Sequence, residues 1–253
     1  MKSYAWLMTL LLSAFALAET FWLDAFSGLN HRAQDSLLRR HALSRTPDPE
    51  VVLINIDERS LEAMNPEFGR HPWPRSVFGQ LTENLARHGA RAIVWDVNFA
   101  DPDRGREDQD NYLIEVGQNT PQAFFPMLRL DPEADGDPES LKLDAYAEKL
   151  GLIRTPTAVE GARIALLLPF TKLAETGRIG SINFLRDDDG IGRRYYVYIE
   201  KDGWRIPSLP ARVAMALGFW LPDQPDIEIN WRGRPDDRVQ FSYTDIFRDY
   251  ERE

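Results

Sequence analysis

The chain has 253 residues, no cysteine and a formal charge of -10, from 40 acidic and 30 basic side chains. That length suits one large domain or two small ones, and without cysteine neither a disulfide nor a thiolate metal site can form. A net acidic surface repels phosphate backbones and anionic head groups, which argues against nucleic acid as a partner.

The N-terminus reads "MKSYAWLMTLLLSAFALAETFWLDAF", with one Lys and then an uncharged run from Tyr4 to Ala18. The run is shorter than the ~20 residues of a typical membrane-spanning helix. Ala16-Leu17-Ala18 has the small-x-small form of a signal-peptidase site. Residues 1–23 therefore fit either a signal anchor or a cleaved signal peptide, with a buried core helix as the bland alternative. Either export reading puts residues 24–253 outside the cytoplasm. Phe21, Trp22, Ala25, Leu29, Ala33, Leu37 and Leu38 then follow a helical stripe. They predict a stalk helix over 24–43 with a basic far end at Arg39, Arg40 and His41, broken by "SRTPDPE" (44–50).

"VVLINID" (51–57) reads as a buried strand, "ERSLEAM" (58–64) as a helical turn or two, and 76–88 as a helix with Ser76 as its cap and Gly89 as its stop. "RAIVWDVNF" (91–99) is a second buried strand, giving a βαβ pattern with two parallel strands. "DPDRGREDQD" (101–110) reads as a charged loop. "QAFFPMLRL" (122–130) is a strand that Pro126 would confine to an edge or bulge. "DPEADGDPES" (131–140) is expected to be a mobile loop, and 139–151 a helix ending at Gly151. Further on, 163–170, 180–185 and 193–200 read as strands, 186–192 and 201–203 as turns, and 208–219 as a helix capped by Ser208. Segments 227–233 and 239–247 complete a strand-rich tail. The expected class is α/β, a mixed, partly parallel sheet with flanking helices behind an N-terminal anchor and stalk. No repeat and no clear boundary divides 44–253.

Several of these segments, in this order, resemble the type 2 CHASE domain. They are Ile56-Asp57, Ser60-Leu61, Pro72-Trp73-Pro74-Arg75, Gly89-Ala90 and Asp96, then "GSINFLRDDDGIGRRYYVYI", "RIPSLPARVAMALG" and "IEINWRG" with "FSYTDIF". The likeness covers about 30–247. It implies an extracytoplasmic sensory domain at 44–253, of the kind found in bacterial adenylate or guanylate cyclases, histidine kinases and Ser/Thr kinases. It also implies anchoring in the inner membrane with the domain in the periplasm, a homodimer, and a small-molecule or periplasmic protein ligand. Family members usually continue into a further strand, membrane helices and an output domain, so the domain is expected to be incomplete at its C-terminus.

In an open parallel sheet, ligands sit beyond the carboxyl ends of strands. Asp57 and Asp96 end the two predicted strands, Asp101 and Asp103 come next, and Arg75 opens the connecting helix. If the strands are neighbours, these groups share one rim. Three readings stay open there. The carboxylates hold a divalent cation; Arg75 and nearby amides bind a polar or anionic ligand; or Arg75 pairs with Asp57 or Asp96 and fixes the loop. The last is the commonest structural device. Pro72, Trp73, Pro74 and Arg75 form the joint into the helix, with Trp73 expected to cover the core. "DDDG" (187–190) lacks the spacing of a calcium loop and reads as a turn, with Arg193-Arg194 compensating its charge. No nucleophile triad, no zinc spacing and no phosphate-binding glycine loop is present, so neither a cofactor nor a catalytic set is indicated. The alternatives to a sensor are an exported metal-dependent hydrolase using Asp57, Asp96 and Asp101, or a protein-interaction module.

Overall fold

A computed structural model describes residues 2–18, 27–103, 105–187 and 189–250. In chain order the elements are α1 (Lys2–Ala18), α2 (Ser27–Leu43), β1 (Val52–Asn55), α3 (Glu58–Phe68), α4 (Arg75–Arg87), β2 (Ile93–Val94), α5 (Glu107–Asn119) and β3 (Ala123–Arg129). Next are β4 (Leu141–Lys142), α6 (Leu143–Tyr146), β5 (Ile153–Arg154), β6 (Arg163–Ile164), β7 (Leu166–Leu167), α7 (Thr171–Ala174) and β8 (Ile179–Ser181). The last third holds β9 (Arg194–Tyr196), β10 (Tyr198–Lys201), β11 (Trp204–Pro207), α8 (Leu209–Ala216), β12 (Asp226–Glu228), β13 (Val239–Ser242) and α9 (Tyr243–Tyr250). This is an α/β fold built from small mixed sheets.

The chain divides into two units. One is Met1–Leu53 with Asn230–Gln240; the other is Ile54–Ile229 with Phe241–Glu253. In the first, α1 exposes Tyr4, Trp6, Leu7, Leu10, Leu11, Leu12 and Phe15 to the surroundings. No helix among the described residues is long and apolar enough to cross a membrane. Within the same unit, the Gly233 N–H donates to the carbonyl of Ala42 at the end of α2, at 2.8 Å. The start of the predicted stalk, with Phe21, Trp22 and Ala25, lies outside the described residues.

The second unit is organised on β3. Its first residues pair parallel with β2 (Ile93 with Ala123) and its last pair antiparallel with β7 (Leu128 with Leu167). Its middle pairs parallel with β8, Phe125 opposite Ile179 and Pro126 opposite Gly180. β3 is thus central, and the expected edge position is corrected. The reason lies in the alternation of backbone groups along a strand. Phe125 donates its N–H toward β8, to the Arg178 carbonyl, so the nitrogen of Pro126 faces the other edge. There it falls between the end of β2 and the start of β7, and no ladder bond is lost.

The parallel βαβ unit is also a different one from that expected. β2, α5 and β3 make it, whereas β1 pairs with β13 in a two-stranded sheet. β1 is not buried: Val52 and Leu53 are exposed. The 91–99 strand shrinks to Ile93–Val94. The charged stretch 101–110 runs into α5, whose acidic first turn of Glu107, Asp108 and Asp110 suits a helix N-terminus. Segment 239–247 is half strand and half helix. Tyr243, Ile246 and Phe247 have the helical spacing that carries α9 onto the core. In place of a long 139–151 helix there is one turn, α6. Nor is 131–140 loose: Asp135 is 2.8 Å from Arg129 and accepts the Ala165 N–H at 2.8 Å.

Other expectations hold. Ser208 caps α8, accepting the Ala211 N–H. Gly89, at φ +83, closes the turn after α4. Asp202 and Gly203, both at positive φ, form the two-residue turn between β10 and β11. The main core cluster is aromatic-rich and includes Trp73, Phe78, Trp95, Phe99, Phe125, Tyr243 and Phe247, and a small second one holds Val197, Tyr198 and Ala211.

Candidate functional site

α4 starts directly after the Pro-Trp-Pro joint. Pro74 precedes it without a side-chain cap, so Ser76 is not the cap expected but lies inside the first turn. The His71–Pro72 peptide is cis. Trp73 is 1% exposed and packs against Tyr243, with ring centroids 5.2 Å apart. It is core, as the sequence suggested. Burial, and then the Arg75 cation, hold the His71 imidazole below its usual pKa.

Arg75 is buried between α4 and α5. Its Nη2 donates to the carbonyl of Asp101 at 3.2 Å, and its Nε lies 3.8 Å from Asp110 Oδ1. Its guanidinium sits 5.3 Å from the Phe99 ring centroid and 5.9 Å from that of Phe170. Asp110 uses its other oxygen on the Asp103 N–H, at 2.8 Å. Trp73 Nε1, Arg75 Nε and Asp110 Oδ1 are buried without a hydrogen-bond partner among the described residues. A charge-assisted bond closes at ~2.7–2.9 Å, so this pair has room to tighten. The partner of Arg75 is therefore Asp110, a residue absent from the expected rim, and neither Asp57 nor Asp96. The signal available for it in the sequence is the acidic first turn of α5.

Asp57 has another role. It caps α3: its Oδ1 accepts the Ser60 N–H at 2.9 Å and the Ser60 hydroxyl at 2.7 Å. Its Oδ2 accepts the hydroxyl of Ser242, at the end of β13. Ser60 Oγ in turn accepts the Thr244 N–H at 3.2 Å. The Ser242 and Ser60 hydrogen bonds hold the Asp57 carboxyl down at a pKa of about 2. Both carboxylate oxygens are occupied by the protein itself.

The predicted rim does not assemble. Asp96 and Asp101 are exposed. The charge of Asp96 adds to burial in raising the Tyr195 phenol, while Asp101 meets Arg75 only through its backbone carbonyl. β1 and β2, which were to bring Asp57 and Asp96 side by side, belong to different sheets. Among the described residues no group of three or more His, Asp or Glu side chains is placed to hold a metal ion. Asp57, Asp96 and Asp101, the set named for a metal-dependent hydrolase, do not form such a group.

The remaining motifs are fastenings. Arg193 is buried and forks onto Asp187 at 2.6 Å and Asp189 at 2.8 Å, closing the acidic turn. Asn183 bridges to the backbone of Arg129, accepting its N–H at 2.6 Å and donating to its carbonyl at 2.9 Å, and so extends the β3 ladder by a side chain. Gly180 lets β8 approach α8: an added Cβ would lie 2.4 Å from Leu209 Cα. Arg212 is buried and donates to the carbonyls of Ile179, Leu150 and Gly151.

Thus Pro-Trp-Pro-Arg and Ile-Asp with Ser-Leu are joints between elements distant in sequence, while the Asp-rich turn with Arg is a local clasp. Among known families, the CHASE2 domain matches residues 7–252. The chain belongs to the CHASE2 domain family. CHASE2 is a family of sensory domains, and the match takes in nearly the whole chain. No curated protein and no solved structure matches it. In this CHASE2 chain the ordered motifs account for the fold's fastenings, and among the described residues none of them presents an assembled catalytic group.

Proposed function

We propose that this CHASE2 chain is the extracytoplasmic signal-input domain of a membrane-bound signalling protein, acting in pairs and coupled to a cyclase or kinase output. The observation that carries the reading is the combination of a sensory-domain family with α1. That helix has a single charge, Lys2, and leaves its large apolar residues exposed around the helix. Exposed apolar surface on this scale marks contact with a membrane or a protein. At 17 residues, α1 is about 25 Å long, against a hydrocarbon core of ~30 Å. The apolar stretch Thr20 to Leu23 that continues it lies outside the described residues.

The coupling follows from connectivity. α2 follows α1 in chain order, which puts α2 on the covalent route by which a change in the domain would reach the membrane. A ligand shifts such a system only by binding its two arrangements unequally. The Arg75–Asp110 contact, buried and at 3.8 Å, is where a second arrangement would close a hydrogen-bonded pair. The ligand in this reading is a small molecule or a periplasmic protein, and a homodimer would use α2 as its stalk.

Membrane fractionation tests the reading. The whole chain is expected to sediment with membranes and to resist an alkaline carbonate wash. Leu10→Lys with Leu11→Lys should release it, since each charge near a helix centre costs about 2.5–3.5 kcal/mol of insertion free energy. Recovery of the unmodified chain in the soluble fraction would leave the interaction module as the better reading.

A further inference from the structure

The net charge of this chain is unevenly distributed. Met1–Leu53 and Asn230–Gln240 together hold eight Lys and Arg against seven Asp and Glu, while the whole chain holds 30 against 40. The acidic excess therefore lies entirely in the other unit. An anion repelled by most of the molecule meets a neutral to basic surface here.

That surface contains a pocket. It has a volume of about 520 Å³ and is lined by Arg39, Ala42 and Leu43 from α2 and by Gly233, Arg234, Pro235 and Asp236 from a turn late in the chain. The volume lies within the range of small-molecule sites. Two arginines and one aspartate line it, so the lining is net positive, and Leu43 and Pro235 supply apolar wall. Neither Arg39 nor Arg234 forms an ion pair among the described residues, in a structure where Arg75, Arg129, Arg193 and Arg205 all do.

The two walls are locked together. Gly233 has φ +63, a conformation that suits glycine, and a Cβ there would strike Pro47 at 2.6 Å. Its N–H holds the Ala42 carbonyl, and the Arg234 N–H holds Asp237 Oδ2 at 2.6 Å. Pro235 then begins a short 3-10 turn. The backbone at Arg234 is thereby held against the end of α2, and Arg39, near that end, lines the same pocket.

We propose that Arg39 and Arg234 form a binding pocket for an organic phosphate, with its oxyanion between the two guanidiniums and its carbon portion on Leu43 and Pro235. Guanidinium groups match phosphate oxygens with paired hydrogen bonds. The position rests on the signal-input reading above and sharpens it, because the ligand would bridge α2 to a turn near the other end of the chain. The phosphate belongs either to a soluble ester or to an acidic lipid head group.

Binding to the whole chain in neutral detergent decides the matter, since it needs no output domain and fails or succeeds independently of signalling. Calorimetric titration with glycerol phosphate is run beside titration with short-chain, water-soluble phosphatidylglycerol, with the matching phosphatidylcholine as control. The expected result is saturable binding in one arm. Arg39→Ala and Arg234→Ala should each weaken it on the order of tenfold or more, with unliganded melting unchanged because both side chains are exposed. Arg40→Ala, in the same helical turn but outside the pocket, should leave it intact. Dependence on Arg39 and Arg234 with the soluble ester identifies a soluble ligand; the same dependence only with phosphatidylglycerol identifies a lipid head group. Binding in neither arm, or an equal loss with Arg40→Ala, overturns the proposal.

Discussion

Among the charged residues that the family's motifs bring forward, Arg75 and Asp57 are both engaged by the fold. Arg75 holds the 99–103 loop through the Asp101 carbonyl and neutralises the buried Asp110. Removing one member of a buried pair strands the other charge, which is costly. Arg75→Ala is expected to lower unfolding free energy by about 2–4 kcal/mol, measured by denaturant titration of the whole chain. Arg75→Lys should recover only part of this, because an ammonium lacks the planar fork that reaches both Asp101 and Asp110. Full stability of Arg75→Ala would return Arg75 to the list of ligand contacts. Asp57 gives a pH signature. Its carboxyl titrates at about 2 in the fold against an ordinary 3.8. A carboxyl with a depressed folded pKa contributes stability that is fully present above its unfolded value and is lost as pH falls through the folded one. Stability should therefore hold from neutral pH down to about 4 and drop between about 4 and 2, by an amount on the order of 1–2 kcal/mol after allowance for solvent screening. Asp57→Asn should show a shallower acid limb, and Ser242→Ala should shift the limb toward higher pH, because the Ser242 hydroxyl is the largest cause of the depression. An unchanged acid limb in both variants would contradict the capping role.

Among the elements, α8, the turn after β10 and the stop of α4 are legible in the sequence because each rests on local chemistry: a Ser cap, an Asp-Gly turn, a glycine at positive φ. β1 is not, because "VLIN" carries the composition of a buried strand, and whether it is covered depends on β13, near the other end of the chain. Pro126 misleads for the same reason, since its edge is free only where β2 has ended and β7 has not begun. The rim of aspartates fails with the strand order on which it depends. Asp110 stays hidden because its helix starts inside a run of charge. The approach of β8 to α8 gives a test at this scale. Gly180→Ala places a methyl 2.4–2.5 Å from the Leu209 backbone, which has no rotamer with which to yield. The variant should lose about 2–3 kcal/mol or more, read from its denaturation midpoint. By contrast, Gly136→Ala, with open space around it, should be near neutral.

At the scale of the molecule, the charge is segregated, and a long run of exposed apolar side chains lies on α1 of the smaller unit. The acidic unit holds the aromatic core and the joints formed by the family's motifs. The smaller unit holds the exposed apolar helix, α2, and a pocket beside two guanidiniums without an ion pair among the described residues. The proposed signal-input role fits that division, with the core in one unit and the apolar helix proposed to meet the membrane in the other. Orientation across the membrane is the most direct check on it. The chain contains no cysteine, so a single Trp220→Cys, at a position 83% exposed in the turn after α8, provides one unambiguous thiol. The whole chain bearing it is expressed in bacteria and treated with a membrane-impermeant maleimide before and after permeabilisation. The account predicts full labelling in intact cells, with the domain outside the cytoplasm. Labelling that appears only after the inner membrane is breached would contradict it.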